Sequence, residues 1–385
     1  MIYLDNHATT PVDPQVLAAM LPWFTEQFGN AASHTHPYGW AADSAVKQAR
    51  QRIAEAIGAE PMEVVFTSGA TESDNLAIKG VAQAYAGVGN HIITAATEHN
   101  AVLDTCRYLE QHGVAVTYLP VDAEGFINLD ELQAAFTSRT VLVSIMHGNN
   151  EVGTIQPVRQ IGELCRQRRV LFHTDAAQTL GKIPFNVDDL NLDLASFSAH
   201  KMYGPKGCGA LFVRRRKPRV HLAPQLHGGG HERGFRSGTL NVPGIVGFAE
   251  AVGLATEALA TEQATTEALR DLLLTLLSEQ VPGLRINGPD PRIHPALRLP
   301  GNLNLSFPTI EAAALIGAAR GVAFSTGSAC SSEQPEPSHV LQAMGLTERE
   351  LRSSVRFGVG RFNTRQQILE AAQILIQATK RSTVA

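Results

Sequence analysis

From Met62 to Val213, short β-branched runs alternate with longer amphipathic stretches, and that alternation confines the chain to an α/β architecture. The strand candidates are Glu63–Thr67, His91–Ala95, Val114–Leu119, Thr140–Met146, Val170–Thr174, Leu192–Phe197 and Gly209–Val213. Between several of them, Thr71–Tyr85, Asn100–Gln111 and Val158–Arg168 repeat apolar residues at three and four, the helical period. Adjacent parallel strands need a crossover of about a dozen residues or more, and these helices supply it. The pattern predicts a mainly parallel sheet of seven strands with helices on both faces.

After Val242 the texture changes. Glu257–Gln280 predicts a long helix with Leu269, Leu272, Leu273, Leu276 and Leu277 on one face, followed by the Pro/Gly-rich stretch Pro282–Pro300. Asn302–Phe307, a helix at Ile310–Arg320, Val322–Phe324, Val355–Val359 and a closing helix at Arg365–Lys380 predict a smaller α+β lobe.

Composition excludes several function classes. The net charge of −4 and the lone basic run Arg214–Arg219 leave no extended surface for neutralising phosphates, so neither nucleic acid nor an anionic membrane is an expected partner. The start Met1-Ile2-Tyr3-Leu4-Asp5 lacks a basic, then apolar, leader, and no uncharged apolar run approaches the roughly 20 residues of a membrane span. Cysteines fall at 106, 165, 208 and 330 without CxxC or finger spacing. A cytoplasmic protein with reduced thiols is expected. His227 and His231 flank three glycines that disfavour a helix, so no metal site is expected.

In open α/β sheets, ligands bind beyond the carboxyl ends of the strands. Those ends carry Ser68-Gly69-Ala70-Thr71-Glu72-Ser73, Thr97-Glu98-His99, His147-Gly148-Asn149-Asn150-Glu151, Thr174-Asp175-Ala176-Ala177-Gln178 and Ser198-Ala199-His200-Lys201. Each alone has an ordinary reading; their convergence points to a site. Gly69 lets a phosphate approach the unpaired N–H groups of a helix start, although a plain capped turn has the same sequence. Asp175 ends a buried run and needs a cationic partner, for which a protonated pyridine serves. Lys201 closes an apolar segment; a partly dry lysine is a Schiff-base former and a general base, where a solvated one opens a turn. Cys330 sits in Ser325–Pro337, a run with almost no bulky apolar residue, so it is expected on an exposed, mobile loop, unlike the other three thiols.

With these residues in view, the chain resembles the NifS/IscS-like cysteine desulfurases, a branch of the class-V aminotransferases among fold-type I enzymes of pyridoxal 5'-phosphate (PLP). The likeness runs from Tyr3-Leu4-Asp5-Asn6-His7-Ala8-Thr9-Thr10 to Arg356-Phe357-Gly358-Val359-Gly360-Arg361-Phe362, through Thr67–Gly80, Ser196–Gly207 and His227–Leu240. The resemblance implies that Lys201 tethers PLP as a Schiff base, His99 stacks on the ring, Asp175 pairs with its nitrogen and Gln178 bonds its oxygen. It implies that Ala70, Thr71, Ser198 and His200 hold the phosphate, with Thr239 from a partner subunit. Asn150 and Arg356 then fix the carboxylate of L-cysteine, and Cys330 accepts its sulfur. It further implies a homodimer of chains with a large PLP domain (15–255) and a small domain (1–14 and 256–385) bearing the cysteine loop (about 325–337). The expected activity converts L-cysteine to L-alanine and hands sulfur to an acceptor for iron–sulfur clusters, thio-cofactors or tRNA. Longer relatives extend past the point equivalent to Lys380, where a scaffold protein docks. Selenocysteine or cystine lyase and aminotransferase chemistry remain the alternatives on the same fold.

Overall fold

The computed structural model describes residues 1–326 and 337–382. Its strands are β1 (Ile2–Tyr3), β2 (Val64–Thr67), β3 (His91–Ala95), β4 (Ala115–Leu119), β5 (Thr140–Ser144), β6 (Leu171–Asp175), β7 (Leu194–Ser198), β8 (Gly209–Val213), β9 (Arg285–Asn287), β10 (Asn302–Ser306), β11 (Val322–Ala323) and β12 (Ser354–Gly358). Seven form one sheet in the order β2-β8-β7-β6-β5-β3-β4. Its pairs are parallel except those made by β8, which runs antiparallel to β2 and β7.

The central strands are buried on both faces, which is why they read as near-continuous apolar runs rather than alternating ones. Successive side chains still part company. Phe66, Phe172, Phe197 and Phe212 enter one core, against Ile53 and Ile57 of the helix Pro37–Ile57 and Phe248 of the helix Val242–Gln280. Val65, Leu171, Leu194 and Leu211 enter the opposite core, against Leu76 and Val81 of the helix Ala70–Ala84. Each such side chain contributes roughly 1.5–3 kcal/mol.

The helix Val242–Gln280 is longer than the sequence pattern predicts, beginning at Val242 rather than Glu257. Its first turns, Val242 to Ala255, are mostly buried and apolar apart from Glu250, so they show little of the one-sided pattern that marks a surface helix. By length and composition the helix could cross a membrane, although Glu250, Glu257 and Glu262 keep it from being an uncharged apolar run. Instead Ile245, Phe248 and Val252 pack under the large sheet, while Leu269, Leu273 and Leu277 join a second core with β10, β12 and the helix Arg365–Ser382. Around that core stand the antiparallel sheet β12-β10-β9 and the parallel pair β1-β11. The boundary expected near residue 255 thus falls within one continuous helix.

The segment 227–240 is tied down by charge. Glu232 accepts both guanidinium N–H groups of Arg50, at 2.7 and 2.6 Å, and also the amide of Phe66 at 2.8 Å. Removing one member of a buried pair strands the other. Arg50→Ala is expected to lower stability by about 3 kcal/mol in a urea titration.

Candidate active site

The strand ends meet as predicted. A cavity of about 520 Å³ is lined by residues from the ends of β2, β5, β6 and β7 together with His99, and by His7 and Arg356 from the chain's two ends. That volume suits a small aromatic cofactor with a substrate. Ala70, Thr71, His99, Asn150, Asp175, Gln178, Ser198, His200, Lys201 and Arg356 all line it. Thr239 does not; it is exposed, outside the cavity of its own chain. Cys330 lies outside the described residues.

Lys201 stands on the short turn Ala199–Lys201 that follows β7. Its Nζ donates to the carbonyls of His7 at 2.7 Å and Ala8 at 2.8 Å, so the N-terminal segment, remote in sequence, seats it. Asp175 ends β6 on the cavity wall, 6% exposed, with Oδ1 accepting the amide of Ala177 at 2.8 Å. Burial raises its pKa, and the charge of His99 opposes the rise. His99 caps the helix Asn100–Glu110, its Nδ1 accepting the amide of Ala101 at 3.1 Å.

Behind this wall lie two further acids, Asp74 and Glu98, fully buried and pushed well above the usual carboxylate range, chiefly by burial. His200 is pushed down to about 4 by burial and then by the Lys201 charge, so it is neutral at pH 7. Its Nδ1 lies 3.0 Å from the Thr9 hydroxyl.

On the opposite wall, Arg356 of β12 donates from Nη1 to the Asn150 carbonyl at 3.0 Å and from Nη2 to Asp5 at 2.9 Å. That ion pair and carbonyl contact hold a buried guanidinium in the cavity lining. Ser325 brackets the same strand, exchanging backbone hydrogen bonds with Arg356.

The residues present fit PLP. Gly69 has φ +153°, closed to L side chains, and a Cβ there would meet only the Ser198 hydroxyl at 3.8 Å; the space between that hydroxyl and the helix start is a cradle for a phosphate. A buried carboxylate on the cavity wall, Asp175, answers a protonated ring nitrogen. An amine lies within the same cavity at Lys201.

Sequence reasoning missed His7 and Ala8, which act through backbone carbonyls more than a hundred residues from Lys201, and Lys182, which acts on Gln178 four residues away. It also missed Glu72, which accepts Arg236 at 2.8 Å and the Ser68 amide at 2.8 Å, joining the cradle to the segment 227–240. The cysteines at 106, 165 and 208 are buried, and burial above all pushes the thiols of Cys106 and Cys208 up to about 12.

Comparison with known proteins agrees with this geometry. Residues 2–370 match the Aminotransferase class-V family. The chain is 53% identical over 380 residues to the cysteine desulfurase IscS of Anaeromyxobacter sp. (strain Fw109-5), spanning 99% of this chain and 93% of that one. Among solved structures, a NifS-like protein superposes with TM-score 0.90 at 40% identity, covering 98% of each chain. Another, SspA in complex with cysteine, gives TM-score 0.83 at 38% identity over 94% of this chain and 100% of that one. With fold, cavity and sequence in agreement, the chain belongs to the class-V aminotransferases, in their NifS/IscS-like cysteine desulfurase branch.

Proposed function

We infer that this chain is a PLP-dependent cysteine desulfurase, converting L-cysteine to L-alanine and carrying the sulfur on Cys330 as a persulfide. The observation that carries the reading is one cavity lined by a lysine amine, a buried carboxylate, an imidazole, a helix-start cradle and a buried guanidinium. When bound, PLP supplies an electron sink beside the substrate Cα.

The chain's own residues do the rest. Lys201 holds the cofactor and, once released from it, takes the Cα proton of the substrate. Asp175, kept ionised by a cationic partner, holds the proton on the ring nitrogen. His99 stacks on the ring, and Gln178 donates to its oxygen. Ala70, Thr71, Ser198 and His200 bind the phosphate. Arg356 and Asn150 fix the substrate carboxylate and so aim the side-chain sulfur away from the ring. The Cys330 thiolate attacks that sulfur: an S–S bond forms as the Cβ–S bond breaks, and the electron pair left on carbon collects protons as alanine departs.

Arg356→Met is expected to raise KM for cysteine about 100-fold with a much smaller change in kcat, since the lost interaction is made equally in the bound ground state. Arg356→Lys, which keeps the charge but loses the fork, is expected to cost about tenfold. Steady-state kinetics check both.

Thr239 serves the phosphate site of a second copy in this reading, which makes the enzyme a homodimer. The ties from Arg50 and Glu72 support it by holding an exposed segment in place. The persulfide passes to an acceptor protein, an iron–sulfur scaffold or a sulfur carrier. Reduced, buried thiols suit a cytoplasmic setting.

The deciding assay incubates the PLP-loaded protein with L-cysteine and a thiol, counting alanine, sulfide and Cys330 persulfide while recording the visible spectrum. Alanine and sulfur in equal amounts support the reading. Keto acid in place of alanine makes the protein an aminotransferase, and activity confined to cystine or selenocysteine makes it a lyase of that class.

A further inference from the structure

Lys182 follows β6 in the turn that carries Gln178, its amide donating to the Thr179 carbonyl at 3.0 Å. Its Nζ donates to Gln178 Oε1 at 2.8 Å. His7 Nδ1 lies 3.0 Å from the same oxygen, and Gln178 Nε2 donates to the His7 carbonyl at 2.9 Å. That carbonyl also accepts from Lys201. Four residues therefore form one closed set around His7 and Gln178.

While protonated, the Lys182 amine has only protons to offer, and its Nζ is the donor to Gln178. Placed on Gln178, it selects which end of the amide faces it, because a flipped amide would set NH₂ against NH₃⁺. Two donors converge on Oε1. Nε2 spends one proton on the His7 carbonyl and has one left, and Gln178 lines the PLP-sized cavity.

The location is otherwise unfavourable for a cation. Lys182 is partly buried, and burial with the charge of Lys201 brings its pKa down to about 7, against the countercharge of Glu262 and the added repulsion of Arg356. A lysine held there against repulsion has a partner to serve, and the contact on the page is Gln178.

We propose that Lys182 is a positioning residue, fixing the Gln178 amide so that an N–H and not a carbonyl meets the ring oxygen of the cofactor. This rests on the reading of Gln178 as the ligand of that oxygen. A donor there favours the ionised oxygen, so its loss shifts the visible band's titration midpoint upward.

The test measures PLP retention by dialysis and fluorescence, and the titration midpoint of the visible band, for Lys182→Met, Lys182→Arg, Gln178→Ala and the Lys182→Met/Gln178→Ala pair. Lys182→Met is expected to weaken PLP retention about tenfold and raise the midpoint by about one unit, the same factor in another measure. Lys182→Arg, still a donor, restores most of both. In the Gln178→Ala background, Lys182→Met changes either quantity less than about twofold.

Equal losses in both backgrounds, or a wild-type midpoint in Lys182→Met, overturn the proposal while leaving Gln178 in place. A wild-type midpoint in Gln178→Ala overturns the Gln178 reading and this inference with it. Should the methionine variant fail to fold, Lys182→Thr, polar but too short to reach Gln178, makes the same comparison.

Discussion

Lys201→Ala is expected to give a folded, colourless protein that loses PLP on dialysis and turns over cysteine at least about 1000-fold more slowly. A lysine that both tethers the cofactor and moves the Cα proton contributes twice, and general base catalysis alone accounts for roughly 10²–10⁴ of rate. Folding is expected to survive. The substitution leaves the carbonyls of His7 and Ala8 without one donor each, at roughly 1–2 kcal/mol apiece, within reach of water from the cavity.

The neighbouring amine sharpens this test. Burial above all brings Lys182 down to about 7, so it too is readily deprotonated, yet its Nζ is engaged by Gln178. If Lys201→Ala kept a visible band that vanished only with the further change Lys182→Met, the tether would belong to Lys182. A visible band together with turnover within about tenfold of the parent would remove Lys201 from the chemistry altogether. Visible spectra before and after dialysis, with alanine assays, distinguish these outcomes.

Much of the frame was legible because its strands are apolar runs cut off by turns. His91–Ala95 and Gly209–Val213 match the observed strands residue for residue, as does the helix Val158–Arg168. What escaped was structure whose cause is remote or isotropic. Val242 to Ala255, at the start of Val242–Gln280, are mostly buried, so their composition lacks the one-sided stripe that marks a helix, although Pro243 was a signal. The helix Pro37–Ile57 carries similar punctuation, a proline at its first position and Gly58 in the left-handed conformation after its end.

The candidate site divides along the same line. Residues at strand ends announce themselves together, because five polar ends converging on one sheet edge have fewer ordinary explanations than any one of them alone. His7 gave no such sign. Its carbonyl, not its ring, seats Lys201, and no side-chain pattern encodes a carbonyl. Lys182 carries no motif of its own, and its contact with Gln178 is set by the turn after β6. Thr239 could be assigned a role by resemblance alone, since its place in one chain is an exposed position away from the cavity.

Cys330→Ser is expected to separate the two halves of the reaction. The variant should hold PLP as tightly as the parent and change its visible spectrum on adding cysteine, since Lys201, Asp175 and Arg356 are untouched. Alanine and sulfide release should fall about 1000-fold, and no persulfide should be found by alkylation and mass analysis. The reason is nucleophilicity: a thiolate is accessible near neutral pH, whereas a serine hydroxyl without an adjacent base is not. The other thiols cannot substitute, because Cys106 and Cys208 are enclosed and held near 12, far from the thiolate form. Serine at 106, 165 or 208 should therefore leave sulfur transfer within about twofold of the parent. Wild-type transfer in Cys330→Ser, or a persulfide trapped on one of the buried thiols, would place the acceptor elsewhere and leave the segment 325–337 without its assigned task.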